Sequence, residues 1–321
     1  MSPSSKPTCR HLGPYAGRTC PCLDCKGTRL KVFACATYTS CTVLKRCGAG
    51  EAPGCCNGCP YYDPLPETAV RTPTWTYGVM TVPERRDTLL PRTLASLALA
   101  GFDRPRLFID GGRPYEGPAW EGYEQTSRLP RIGVHGNWTL SVYELFIRNP
   151  VCHRYALFQD DLVTYRNLRT YLDACPLPSA GYWNLYTFPQ NARLCPTGHT
   201  GWYESNQCGL GAVALIFSRE ALLMLLSSKG FTERPATPDR GTRNVDGGIV
   251  TALSDAHNGP DGWREYVHSP SLVQHTGLTT TITWASGSSN QPHPQAPFFR
   301  GESYDARDLL QYVPAPAGVP L

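Results

Sequence analysis

No stretch of this sequence approaches the roughly 20 consecutive apolar residues that a membrane-spanning helix needs. The opening residues, MSPSSKPTCR, carry no apolar signal core. Both absences predict a soluble chain working in the cytoplasm. No segment recurs at a fixed spacing, which argues against a solenoid or propeller. Charge is sparse too. Asp, Glu, Lys and Arg make up 17% of the residues and the net charge is +4, too small an excess to predict a nucleic-acid-binding body.

What is present is unevenly spread. Residues 1–60 hold eight Lys/Arg against Asp24 and Glu51, a balance of +6, which leaves 22 basic and 24 acidic residues for the rest. Contact with a nucleic acid or another partner is therefore expected of the head alone. Ten of the 14 cysteines lie there as well: Cys9, Cys20, Cys22, Cys25, Cys35, Cys41, Cys47, Cys55, Cys56 and Cys59. Cys9-x-His11, Cys22-x2-Cys25 and Cys56-x2-Cys59 have metal-ligand spacings, and Gly48, Gly50, Gly54, Gly58 and Pro60 supply turns. A segment this short lacks the apolar residues for a core of its own. A zinc-binding head over residues 1–62 is expected, with one or two structural Zn2+ held by ligands from Cys9, His11, Cys20, Cys22, Cys25, Cys35, Cys41, Cys55, Cys56 and Cys59. A disulfide-stapled head on an exported chain is the competing reading. The isolated Cys152, Cys175, Cys195 and Cys208 are expected as small core residues.

Residues 63–73 read as a Pro-rich linker. Residues 74–82 (TWTYGVMTV) read as a buried strand, PERR at 83–86 as a turn, and 88–100 as a helix with Leu90, Leu94, Leu97 and Ala98 on one face, closed by Gly101. Residues 105–110 (PRLFID) complete a strand–helix–strand unit of parallel type. A loop over 112–131 and a helix from 136 to 148 lead to 155–162 (YALFQDDL), an apolar strand that ends in two carboxylates. Beyond it the pattern predicts a helix at 163–172 and a strand at 181–189. A loop then carries His199, Trp202, Tyr203 and Glu204. Further on come a strand at 209–217, a helix at 218–227 capped by Ser218, a helix from 245 and a strand at 263–267. The alternation predicts an α/β body over 74–300, with a Rossmann-like, mostly parallel sheet flanked by helices. A tail at 301–321 holds one short helix.

Asp160 and Asp161 thus fall at the carboxyl edge of a sheet, where open α/β folds bind ligands. Adjacent carboxylates repel unless a cation or hydrogen-bond donors compensate, which suits a hard divalent ion. The plainer alternative is a helix N-cap beside a solvated neighbour.

Joined to the distant PSLVQHTG at 270–277, the acidic pair resembles the metal-dependent GT-A glycosyltransferases. More narrowly, FQDDL with PSLVQHTG resembles the N-acetylglucosaminyltransferase IV family, although Gln159 stands where that family commonly has an acid. The resemblance implies a GT-A domain that moves a sugar, N-acetylglucosamine being one candidate, from a nucleotide sugar, most simply a UDP-sugar, to a glycan or other hydroxyl acceptor. It implies Mn2+ or Mg2+ held by Asp161 and His275, with Asp160 hydrogen-bonding the ribose or a metal-bound water. Thr81, Arg85 and Arg86 would rim the nucleotide, with Asp110 and Asn137 as further contacts. An inverting transfer also needs a base for the acceptor proton. Asp246, behind Arg240 and Arg243, is the first candidate, with its pKa lowered by a helix N-terminus, and Glu204 is the reserve. Trp183, Trp202 and Tyr203 are candidates to stack a sugar, and 279–289 to form a lid. A nucleotide-sugar hydrolase and a non-catalytic binding protein working through its zinc head are the alternatives.

Overall fold

The computed structural model describes residues 72–178, 180–232, 245–254, 263–277 and 294–313, all within the unit Thr72–Leu321. The expected zinc head (1–62), the linker up to 71, Arg240, Arg243 and the 279–289 lid lie outside the described residues.

The α/β expectation holds. Strand β1 (Trp75–Thr81) sits between β2 (Arg106–Asp110) and β4 (Arg154–Gln159), parallel to both, and β3 (Gln125–Arg128) extends the parallel set beyond β2. On the other side β4 pairs antiparallel with β8 (Ala214–Ser218), which pairs antiparallel with β6 (Gly181–Asn184). Then β9 (Arg264–Ser269) runs parallel to β6, and β7 (Gly201–Glu204) closes the edge antiparallel to β9. The order β3-β2-β1-β4-β8-β6-β9-β7 leaves six strands running one way and β8 and β7 reversed. From β1 the chain builds outward through β2 and β3, then crosses back to place β4 on the other flank. The carboxyl ends of β1 and β4 therefore border the crevice where such sheets take ligands.

Period-two burial explains why one sheet carries two cores. In β4, Ala156 and Phe158 face one core, and Tyr155 and Leu157 the other. The first core is covered by α1 (Leu89–Ala100) through Leu90, Leu94, Leu97 and Ala100, and by α3 (Leu168–Ala174). The second lies under α2 (Gly133–Arg148), α4 (Arg219–Ser227) and α5 (Val245–Ser254), with Trp138, Leu145, Leu222 and Ile249 inward. Helix α1 stops at Gly101, whose φ of 95° is left-handed, while Phe102 N–H returns to Leu97 C=O at 2.8 Å. Helix α4 is capped as expected, with Ser218 Oγ accepting from Ala221 N–H at 3.0 Å.

Six stretches differ from the expectation, two of them strands shorter than expected: Gly181–Asn184 in place of 181–189 and Ala214–Ser218 in place of 209–217. Residues 112–131 hold β3, whose polar QTSR has no apolar alternation to betray it. Helix α2 starts three residues early, at Gly133, because the Asp110 carboxylate accepts from Ile132 N–H (2.8 Å) and Gly133 N–H (2.9 Å) and pins the first turn. Beyond the acidic pair a short strand, β5 (Leu162–Thr164), comes first, and the expected helix is α3, which begins only at Leu168. Residues 201–204 form edge strand β7 rather than a loop. Strand β5 pairs antiparallel with β10 (Val273–His275) in a separate ribbon, setting His275 opposite Leu162.

Candidate active site

The β5–β10 ribbon brings together two residues more than a hundred positions apart. The antiparallel register sets His275 beside the acidic pair, and Thr276 N–H donates to Asp161 C=O at 2.7 Å. The His275 Nε2 then lies 3.6 Å from Asp161 Oδ2, with the side chains 5% and 1% exposed. Gly277 allows this approach: a Cβ there would stand 2.9 Å from Asp161 Oδ2 and 2.9 Å from His275 Cε1.

The carboxyl end of β1 supplies the other wall. Thr81 Oγ1 donates to Asp160 Oδ2 at 2.7 Å. In the turn Pro83–Arg85, the Arg85 Nη1 donates to Asp160 Oδ1 at 2.5 Å and to Asp161 Oδ2 at 2.7 Å. One guanidinium nitrogen thus bridges two buried carboxylates. Burial works to lower the Arg85 pKa, but Asp161 and Asp160 outweigh it and the net shift is upward. Burial raises the Asp160 pKa and Asp161 adds to the rise, against the opposing pull of Arg85 and Thr81.

Do these residues suit a divalent ion? A carboxylate and an imidazole are an ordinary donor pair for Mn2+ or Mg2+. Cis ligands about 2.1 Å from an octahedral ion lie about 3.0 Å apart, so the 3.6 Å Asp161–His275 separation has to close by about 0.6 Å for both to bind one ion. The donor types fit, and the spacing fits after that adjustment. Arg85, however, occupies the same Asp161 oxygen. Among the described residues no group of three or more His, Cys, Asp and Glu is placed to hold a metal, so further ligands would come from beyond those residues, the substrate and water included. His275 Nδ1 accepts from Gly277 N–H at 3.1 Å. Ligation through Nε2 would require the ring proton to move to Nδ1 and this amide to turn away.

Asp246 lies in the first turn of α5, half-buried, its Oδ2 accepting from Gly211 N–H at 2.7 Å and its Oδ1 from Gly247 N–H at 3.2 Å. The expected lowering of its pKa is reversed. Burial raises it, and the backbone donors at Gly211 and Gly247 only partly offset that. The loop before β8 is tied to the acidic strand, because Gln159 donates through N–H to Val213 C=O (2.8 Å) and through Nε2 to Ala212 C=O (2.9 Å). A brace that the sequence did not reveal holds the same loop. Buried Glu265 accepts from Ser205 Oγ (2.6 Å) and Asn184 Nδ2 (3.0 Å), and Asn184 Nδ2 also donates to Leu210 C=O at 3.1 Å. Gly209 and Gly211 let that loop turn, with left-handed φ of 65° and 80°.

Other expected residues have different work. Both oxygens of Asp110, 3% exposed, already accept from the start of α2, so a helix-start role accounts for it. Asn137 is inside α2 rather than at its start, buried, with Nδ2 donating to Phe108 C=O at 3.2 Å. Arg86 turns away from the carboxylates and lies 5.3 Å over Tyr115 and 5.7 Å over Trp120. Glu204 is exposed on edge strand β7, four strands from β4. At about 4.8 Å per strand that is on the order of 19 Å, so Glu204 drops out as a reserve base. Trp183 stacks on Trp202 at 4.5 Å and 8° in the core, with buried Arg154 5.1 Å over the Trp183 ring. These two are packing residues rather than a sugar platform. Tyr203 donates to Asn191 C=O at 3.2 Å. Of the four isolated cysteines only Cys175 is buried, while Cys208 is exposed.

No protein-family model matches the chain, and no curated protein matches it significantly. Solved structures of related layout include GalNAc-T7 with UDP, GalNAc and Mn2+ (13% identity, 64% of this chain and 44% of that one, TM-score 0.37). Another is a glycosyltransferase involved in glycosylation of the major capsid of PBCV-1 (11% identity, 61% and 94%, TM-score 0.33). A third is a putative glucose-1-phosphate thymidylyltransferase from Bacillus anthracis in complex with a sucrose (10% identity, 63% and 89%, TM-score 0.37). The chain spans less than half the length of the first of these. At such identities and TM-scores nothing about ligand or reaction carries across. Among the described residues no helix is long and apolar enough to cross a membrane.

Proposed function

We propose that this chain is a GT-A-type glycosyltransferase that moves a sugar from a nucleoside diphosphate sugar to a hydroxyl acceptor. One observation carries the reading: Thr81, Arg85, Asp160, Asp161 and His275 converge at the carboxyl ends of β1 and β4, the ligand-binding crevice of an open α/β sheet. The two motifs behind the family resemblance, far apart in sequence, supply Asp160, Asp161 and His275 to that cluster. The narrower likeness to the N-acetylglucosaminyltransferase IV family makes a UDP-linked N-acetylglucosamine the first donor to try.

Asp161 and His275 would hold Mn2+ or Mg2+, and Asp160, oriented by Thr81, would face the donor ribose or a coordinated water. The divalent ion supplies charge neutralisation as the diphosphate departs. Arg85 sets its guanidinium against Asp160 and Asp161 and can meet phosphate oxygens through paired N–H groups. Asp246 is the candidate base. Its upward-shifted carboxyl remains anchored by the Gly211 amide and would take the acceptor hydroxyl proton as that oxygen bonds to the anomeric carbon and the diphosphate leaves. The Glu265–Asn184 brace would keep the Gly211 amide, and with it Asp246, in place.

The test is a donor panel. The purified full chain is incubated with Mn2+, each of several nucleotide sugars and a set of sugar and peptide acceptors, and free nucleotide and glycosylated product are measured. Acceptor-dependent nucleotide release supports the reading. Release that ignores the acceptor points instead to a nucleotide-sugar hydrolase. Absence of both release and donor binding points to a non-catalytic binding protein and overturns it.

A further inference from the structure

The Arg85 side chain is the feature of this site that an ordinary phosphate-binding role leaves unexplained. It does not project toward open space at the crevice. Its Nη1 is drawn in between Asp160 Oδ1 (2.5 Å) and Asp161 Oδ2 (2.7 Å), and its side chain is 12% exposed. The oxygen it holds on Asp161 is the one that faces His275 Nε2 at 3.6 Å. Arg86, next along the chain, takes no part, because the Tyr115 and Trp120 rings and Glu116 C=O, at 3.2 Å from its Nη2, occupy it. The turn thus offers one guanidinium to the carboxylates and directs its neighbour elsewhere.

We propose that Arg85 is a tethered counter-ion for the acidic pair, holding the divalent-ion position closed until a donor diphosphate draws it away. The inference rests on the glycosyltransferase reading and concerns the order in which that site fills. The charges make the argument. Two buried carboxylates beside one guanidinium leave at most one negative charge uncompensated, so a divalent ion entering alone would bring a surplus of positive charge and meet Arg85 on the Asp161 oxygen it needs, with like charges crowded in a poorly solvated space. A nucleoside diphosphate changes the balance. It gives the guanidinium a second set of anionic oxygens with matching fork geometry, and it brings ligands that the protein itself lacks among its described residues. Arg85 then moves from carboxylate to phosphate, Asp161 Oδ2 becomes available beside His275, and ion and donor are held together. The effector has the differential affinity for the two arrangements that such a switch requires. His275 agrees with a closed resting state, since its Nδ1 is engaged by the Gly277 amide.

The experiment measures Mn2+ binding by electron paramagnetic resonance on the full chain, with and without UDP, for wild type, Arg85→Gln and Arg85→Lys. Thermal unfolding of each protein is followed with and without Mn2+. The wild type is expected to bind Mn2+ weakly alone and at least tenfold more tightly with UDP. Arg85→Gln is expected to bind Mn2+ at least tenfold more tightly than wild type without nucleotide, and to gain more in Tm on adding Mn2+. Arg85→Lys, which keeps a charge, should stay near wild type and shows that Arg85→Gln acts through charge rather than through misfolding. Equal or weaker nucleotide-free Mn2+ binding by a folded Arg85→Gln overturns the inference, while UDP-dependent Mn2+ binding by wild type would leave the glycosyltransferase reading intact. Failure of every form to bind Mn2+ with UDP sinks both.

Discussion

Replacing Gly277 by alanine tests whether the Asp161–His275 pair is a working site or a packing accident. Gly277 has no left-handed φ, so alanine brings no backbone penalty, and the effect must come from the added methyl. That Cβ would lie 2.9 Å from Asp161 Oδ2, 2.9 Å from His275 Cε1 and 3.3 Å from His275 Nδ1. Contacts under 3.0 Å force a shift of roughly half an ångström, and neither neighbour yields easily. Asp161 is tied to Arg85 at 2.7 Å and is 1% exposed, and His275 is 5% exposed. Overpacking of this kind costs about 1–3 kcal/mol, and displacing a metal ligand through its surroundings costs about 10–100-fold in affinity. Chemical denaturation gives the first number and Mn2+ titration in the presence of UDP gives the second. A Gly277→Ala protein whose stability is within about 0.5 kcal/mol of wild type, with unchanged Mn2+ affinity, would refute the reasoning.

Three further outcomes are expected. Asp246→Asn should lower kcat by about 10²–10⁴-fold with donor affinity little changed, measured by steady-state kinetics on whichever donor proves active. Gly248→Ala, inside α5, should stabilise the protein by about 0.5–1 kcal/mol, because its Cβ would meet Phe231 at an ordinary 3.6 Å; denaturant titration reads it. Stability should also fall on acidification through buried His268. Its Nε2 pairs with Tyr171 OH at 2.7 Å and its Nδ1 with Pro270 C=O at 2.7 Å, and burial lowers its pKa to about 4. Between that value and the ordinary 6.5 the unfolded chain takes up the proton and the folded one does not. The loss therefore accumulates as pH falls from 6.5 to 4 and levels off below, about 3 kcal/mol in all at about 1.4 kcal/mol per unit. Unfolding free energies measured across that range, with His268→Gln as a flatter control, check it.

The sequence exposed those parts of the fold that apolar periodicity writes plainly. Strand β1, helix α1 with its Gly101 stop, strand β4 into the acidic pair and the Ser218 cap could each be read within a residue or two. Strand β3 could not, because QTSR at a sheet edge has no apolar face to conserve a period. Strand β5 was hidden for another reason. The spacing of Tyr165, Leu168 and Leu172 marks a helix, and Leu168 and Leu172 do lie in α3, but ribbon pairing with β10 takes 162–164 into a strand first. The juxtaposition of Asp160, Asp161 and His275 was legible because two motifs marked them. Charge alone misled at Glu204 and helix position alone misled at Asp246, since strand order and burial decide those cases and neither is local. The Arg85 bridge and the Glu265 brace are tertiary contacts between distant elements, and no spacing in the sequence encodes them.

The most direct measurement of the central claim is pulsed electron paramagnetic resonance of Mn2+ bound to the chain together with UDP. If Asp161 and His275 share one ion, the spectrum shows hyperfine coupling to a single imidazole nitrogen, the coupling disappears in His275→Gln, and Asp161→Asn loses the bound Mn2+. Mn2+ held with no nitrogen coupling, or held unchanged by both variants, would contradict it.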